Sequence, residues 1–186
     1  MPGSEVTAEQ AIADTRRWLE RAVVGLNLCP FAKAVHVKGQ VHYAAIEDAD
    51  FAGVLHALER EADDLLAKPA EERDTTLLVA PCGFDEFLLF NELVRQGERM
   101  LARKRLEGQL QLASFHPQFV FAGADEDDVA NCSNRSPYPT LHLLREDSVA
   151  RAVAAFPQAQ AIYGANMETL RRLGPQGWQA LGVGRS

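Results

Sequence analysis

The sequence predicts a single α/β (or α+β) domain, a mixed and mostly parallel sheet of about four strands packed by helices. Three observations carry that expectation. Short apolar runs of strand character alternate with long runs of helical periodicity, the order of crossover units. One of those runs, Thr75 to Ala80, is apolar almost throughout, as in a strand covered on both faces. The 186 residues, 47% hydrophobic and 24% charged, suffice for one sizeable core. Residues 1–186 therefore read as one domain, with 1–6 and 182–186 expected as flexible ends.

The elements follow in order. Thr7-Ala8-Glu9-Gln10 matches a capping box, and Ile12, Leu19, Ala22, Val23 and Leu26 recur at helical spacing, which predicts a helix over about 8–26. Val41 to Ile46 reads as a strand. Asp50 caps a second long helix carried by Phe51, Val54, Leu55, Leu58, Ala62 and Leu65, ended by Lys68-Pro69. After the strand at 75–80, Pro81-Cys82-Gly83 turns the chain. Phe84, Phe87, Leu88, Val94 and Leu101 mark another helix, closed near Glu107-Gly108. Leu110 to Phe115 is a third strand. Residues 122–139 are a long polar loop, of the kind that is often functional in a compact domain. Leu141 to Leu144 suits a fourth strand, Ser148 caps a helix to about Phe156, and a last helix over 165–173 stops at Gly174-Pro175.

Composition narrows the function classes. A net charge of −7 argues against broad contact with nucleic acid or an anionic membrane. No apolar run approaches the roughly 20 residues of a membrane helix, and Met1 to Glu5 lacks the basic and apolar regions of a signal peptide. Three cysteines without a C-x-x-C pair fit reduced thiols in the cytoplasm and no structural zinc. The chain has no phosphate loop, dinucleotide fingerprint, G-x-S-x-G elbow or H-E-x-x-H, so no cofactor is named. Nothing in it sets an oligomeric state.

A few polar residues stand where a core-and-loop scheme does not need them. Cys29, before Pro30, is placed to cap a short helix whose dipole favours a thiolate; the alternative is a small buried residue at a bend. His116, at the end of the third strand, suits a general base, or a histidine bonded to a carbonyl. In the loop, Arg135 with Asn131, Asn134 and Ser136 suits a carboxylate or phosphate; otherwise Arg135 ties the loop to the body through backbone carbonyls. His142 faces the same side of its strand as Leu144, as a paired core histidine or, with His116, a metal ligand. The acidic run Asp125 to Asp128 lacks EF-hand spacing and reads as a solvated turn.

Three segments, Gly25 to Ala32, Ala113 to Pro117 with Phe121-Ala122-Gly123, and Asn134 to Pro139 running into Leu141 to Glu146, resemble a bacterial family known only as domain of unknown function 1415. The resemblance covers roughly residues 12–181. It implies no activity. It does imply that Cys29, His116, Asn134, Arg135, Ser136 and His142 belong to one shared pattern. Cys132 and Ser133 stand where that pattern has Tyr and Thr, and Cys82 lies outside it, which argues against chemistry at either thiol.

The leading expectation is an enzyme on a small anionic substrate. Cys29 would be the nucleophile, His116 the base, His142 an orienting partner, and Asn131, Asn134, Arg135 and Ser136 the anion site. The alternatives are a non-catalytic anion-binding or sensing domain, and a metal-dependent enzyme using His116 and His142.

Overall fold

The computed structural model describes residues 6–156 and 158–186; of the ends expected to be flexible, residues 1–5 lie outside that range. The chain runs α1 (Ala8–Trp18), α2 (Ala32–Val37), β1 (Val41–Ala45), α3 (Phe51–Ala67), β2 (Thr75–Val79), α4 (Phe87–Arg103), β3 (Leu110–Phe115), β4 (Thr140–Arg145), α5 (Glu146–Ala155) and α6 (Ile162–Ala180). The four strands form one mixed sheet in the order β1-β2-β4-β3.

β1 and β2 are parallel and joined through α3, as the crossover reading expects. The balance of the sheet differs from that reading. β4 lies between β2 and β3 and pairs antiparallel with both, so one strand pair is parallel and two are antiparallel. The physical reason is the position of the last strand. β1, β2 and β3 do point the same way, but β4 enters the gap left between β2 and β3. Mostly parallel strand directions thereby become mostly antiparallel pairings.

The pleat sorts residues onto two faces. Leu78, Leu141, Leu143 and Leu110 meet Leu58, Leu65, Phe90 and Leu93 of α3 and α4 in the larger core. A buried ion pair, Glu61 with Arg73, lies beside it, and Arg73 also donates to the Thr76 hydroxyl. On the other face, Val41, Tyr43 and Phe115 pack against Trp18, Leu19, Ala22 and Val23. Thr75, Leu77, His142 and Leu144 belong to that second face by register.

Local chemistry explains the boundaries. The Thr7 hydroxyl accepts from the Gln10 amide, but the Gln10 side chain reaches forward to Asp14, so only half of the capping box forms. The first helix continues past Trp18 as a π-type turn over Leu19–Val24, with Leu28 N–H donating to Val23 and Asn27 in the left-handed region. The Asp50 carboxylate caps α3 through Gly53 N–H at 2.8 Å. α5 starts at Glu146, before the expected cap, because the Ser148 hydroxyl donates to Asp74 instead. α6 breaks at Gly174, φ 72°, where the last helix was expected to stop, and a second helical stretch resumes beyond it.

The end of the chain is tied down. Arg17 donates to the carbonyls of Gly182 and Gly184, and Arg21 to that of Leu181. The fully buried Asp14 carboxylate accepts from Tyr138 Oη at 2.9 Å, from Arg17 and from the Ser186 amide. No helix among the described residues is long and apolar enough to cross a membrane.

Candidate functional site

The second face of the sheet is not filled. A cavity of about 480 Å³ lies between it, the π-type turn, the segment 29–35 and α5. That volume falls within the usual range of small-molecule sites, roughly 300–1,000 Å³. Its floor is Thr75, Leu77, His142 and Leu144. Trp18, Leu19 and Val23 form one wall, and Phe31 and Val35 another. The remaining wall is Val149 and Ala152 of α5, three residues apart on one helix face, with Phe156 just past the end of that helix. Phe31 meets Phe156 edge to face at 6.0 Å across the top. Neither α2 nor α5 contains a buried residue, so both pack on the rim rather than in a core.

The polar groups of the lining are mostly engaged by the protein itself. Arg145 is its one Lys or Arg among the described residues, and that guanidinium donates to the carbonyls of Leu65 and Lys68 at the end of α3 and of Arg73 just before β2. Asp74 accepts from Ser148 at 2.5 Å. His142 Nε2 lies 2.7 Å from Thr75 Oγ1, which itself donates to the Leu143 carbonyl at 2.6 Å. Burial pushes the His142 imidazole down to about 4, so it is neutral at pH 7. Trp18, 1% exposed, has an indole N–H with no partner among the described residues. Cys29, half-buried, completes the set.

The residues singled out in the sequence are divided by this geometry. Cys29 and His142 line the same cavity. Cys29 is not a helix cap, however: α2 begins only at Ala32, its N-cap is Phe31, and it is six residues long. Pro30 opens a turn rather than a helix.

His116 lies on the other side of the sheet. It is fully buried, packed on Phe87 and Phe90 of α4 at 5.3 and 5.1 Å. Its Nε2–H donates to the Phe84 carbonyl at 2.9 Å, and its Nδ1 accepts from Gln118 N–H at 3.0 Å. Burial lowers its pKa. Both nitrogens are committed to backbone, and the sheet separates the ring from Cys29. For the same reason His116 and His142 do not converge on one metal ion. Among the described residues no group of three or more metal-ligating side chains is present.

The expected anion site is a self-bonded loop. Arg135 donates to the carbonyls of Phe119 and Glu126, each at 2.9 Å. Asn131, fully buried, donates to Asp125 O and accepts from Phe121 N–H. Ser136 donates to Tyr138 O, and the Asn134 carbonyl accepts from His116 N–H. None of the four lines the cavity. Sequence reasoning missed Trp18, Thr75 and the α5 wall. That wall is visible as 149 and 152, with 156 just beyond, and strand alternation groups Thr75 with Leu77, but their convergence depends on β4 lying next to β2.

Fold and cavity together define a mixed α/β domain with an apolar pocket against one face of its sheet. The chain matches the family described as "Protein of unknown function (DUF1415)" over residues 10–180, and it belongs to that family. No curated protein and no solved structure matches it.

Proposed function

We propose that the protein binds a small, largely apolar and uncharged molecule in the cavity bounded by Trp18, Cys29, His142 and α5. The observation that carries this reading is the lining itself. It is apolar except for a few groups, and Arg145, its single cation among the described residues, is occupied by backbone carbonyls between α3 and β2. A carboxylate or phosphate entering here would lose its water and gain no charged partner, at a cost of several kcal/mol. An apolar guest gains about 25 cal/mol for each Å² it removes from water. The geometry therefore favours an uncharged ligand over the anion that the loop around Arg135 suggested.

The experiment is a ligand-detected NMR screen of uncharged bicyclic aromatics and alkanols against the wild type and Ala152→Phe. Ala152 lies on a helix with no buried residue, so filling the cavity from there leaves the main core untouched. Binding that is lost in Ala152→Phe supports the reading. Binding that survives the filling, or none at all, defeats it.

A second reading is thiol-dependent catalysis in the same place, supported by the shared cavity of Cys29 and His142. In it the Cys29 thiol adds to a carbonyl carbon of the bound molecule, the C=O π bond breaks, and the thiol proton passes by way of His142 to the carbonyl oxygen. Iodoacetamide labelling of Cys29 against pH tests it. Rapid labelling well below pH 8.5, the ordinary thiol range, supports the activated thiol. Labelling only at or above that range removes it.

A further inference from the structure

We infer that the cavity selects guests carrying a hydroxyl or N–H donor, and that Thr75 sets this preference by fixing which nitrogen of His142 bears the proton. The inference rests on the binding role proposed above and specifies the chemistry of the guest.

The argument follows the hydrogens. A carbonyl oxygen can only accept, so the 2.6 Å contact between Thr75 Oγ1 and Leu143 O commits the hydroxyl hydrogen to Leu143. The same hydroxyl oxygen then has only lone pairs to offer His142 Nε2 at 2.7 Å. Nε2 must therefore carry a hydrogen. In a neutral imidazole the other nitrogen is an acceptor. Nδ1 is that acceptor, on a ring that lines the cavity, and it has no hydrogen-bond partner among the described residues. Phe115, whose ring lies 5.9 Å from the imidazole, holds it from the neighbouring strand and offers no donor.

Trp18 packs edge-on against the same Phe115 at 5.0 Å; its indole N–H has no partner among the described residues but is sealed from the cavity, so it does not meet a guest. The acceptor that the imidazole leaves for a guest is therefore His142 Nδ1, in a lining whose other polar side chains, Asp74, Ser148 and Arg145, are engaged by the protein itself. A guest with a hydroxyl or ring N–H satisfies Nδ1. A purely hydrocarbon guest leaves it dry, and a buried polar atom without a partner is costly.

The test compares 2-naphthol with 2-methoxynaphthalene, which have the same ring system but differ in the donor. Dissociation constants come from NMR titration of the full-length protein. In the wild type the naphthol should bind about tenfold tighter, the effect of one buried hydrogen bond. In His142→Phe the two should bind alike. In Thr75→Val, where Nε2 loses its acceptor and the tautomers mix, the preference should fall to a few-fold. Equal binding of both probes to the wild type overturns this inference while leaving the cavity reading standing. If neither probe binds, both readings fail. Imidazole ¹⁵N shifts of the wild type give an independent check that does not depend on a variant folding. A protonated Nε2 and a bare Nδ1 on His142 are expected, and the reverse tautomer overturns the proposal.

Discussion

His142 should make the fold sensitive to mild acid, and the size of the effect can be worked from its surroundings. The imidazole titrates at about 4 in the folded chain against 6.5 when free. The folded value is the lower one, so between these pH values the unfolded chain binds the extra proton and the folded chain does not. The stability this residue confers is complete above pH 6.5, declines as pH falls toward 4, and is gone below that. At 1.36 kcal/mol per tenfold change in proton activity, the ceiling is about 3 kcal/mol. The ring is only half-buried and borders a cavity, so water reduces this to about 2 kcal/mol. His116, whose pKa burial also lowers, adds to the same slope. The contribution of His142 is therefore read as a difference. Urea unfolding of wild type and His142→Phe at about pH 7.5 and pH 4.5 should show the wild type losing about 2 kcal/mol more than the variant. Equal losses would mean that His142 is as easily protonated in the folded chain as in water. The desolvation of the imidazole by its surroundings would then be wrong.

Two further predictions concern the scaffold. Burial alone would raise the Asp14 carboxyl, but hydrogen bonds from Ser186, Tyr138 and Gln10 outweigh it and hold it at about 2. Its stabilisation is complete above pH 3.8 and is lost as pH falls toward 2, a window below that of His142. Asp14→Asn should cost roughly 2 kcal/mol at pH 7 by urea unfolding and should remove this lower step from the stability profile. An unchanged profile would deny Asp14 its role in holding Arg17 and Tyr138. Arg135→Ala removes two hydrogen bonds from a charged donor to loop carbonyls. It should destabilise the fold by about 1–3 kcal/mol and speed proteolytic cleavage within residues 116–139, with binding in the cavity unaltered. Loss of ligand or anion binding without faster cleavage would return Arg135 to the role the sequence suggested.

The sequence carried more of the scaffold than of the site. Helical periodicity placed α1, α3 and α4, and the Asp50 cap was readable because a carboxylate before an apolar stripe has one local use. The strands were legible as well, β3 over the same residues, 110–115. What local pattern does not encode is the order of strands in the sheet. β4 reaches its place through a connection of more than twenty residues, and the antiparallel pairings follow from that insertion alone. The same insertion decides the site. It sets His142 beside Thr75 and Leu77, opposite the helix that carries Trp18, while His116, one residue past β3, turns to the α4 side. Spacing along the chain could not separate the two histidines. Arg135 shows another limit. A guanidinium among turn formers looks the same in sequence whether it awaits an anion or closes its own loop, and only the positions of Phe119 and Glu126 carbonyls distinguish the two.

The most direct test of the cavity is to locate a guest in it. Intermolecular nuclear Overhauser effects should be measured between bound 2-naphthol and the methyl groups of the full-length protein. Contacts to Leu77, Leu144 and Val149, which come from two strands and one helix and meet only in the cavity, are the predicted result. Contacts confined to surface side chains such as Leu88 or Val37, or no binding at all, would contradict it.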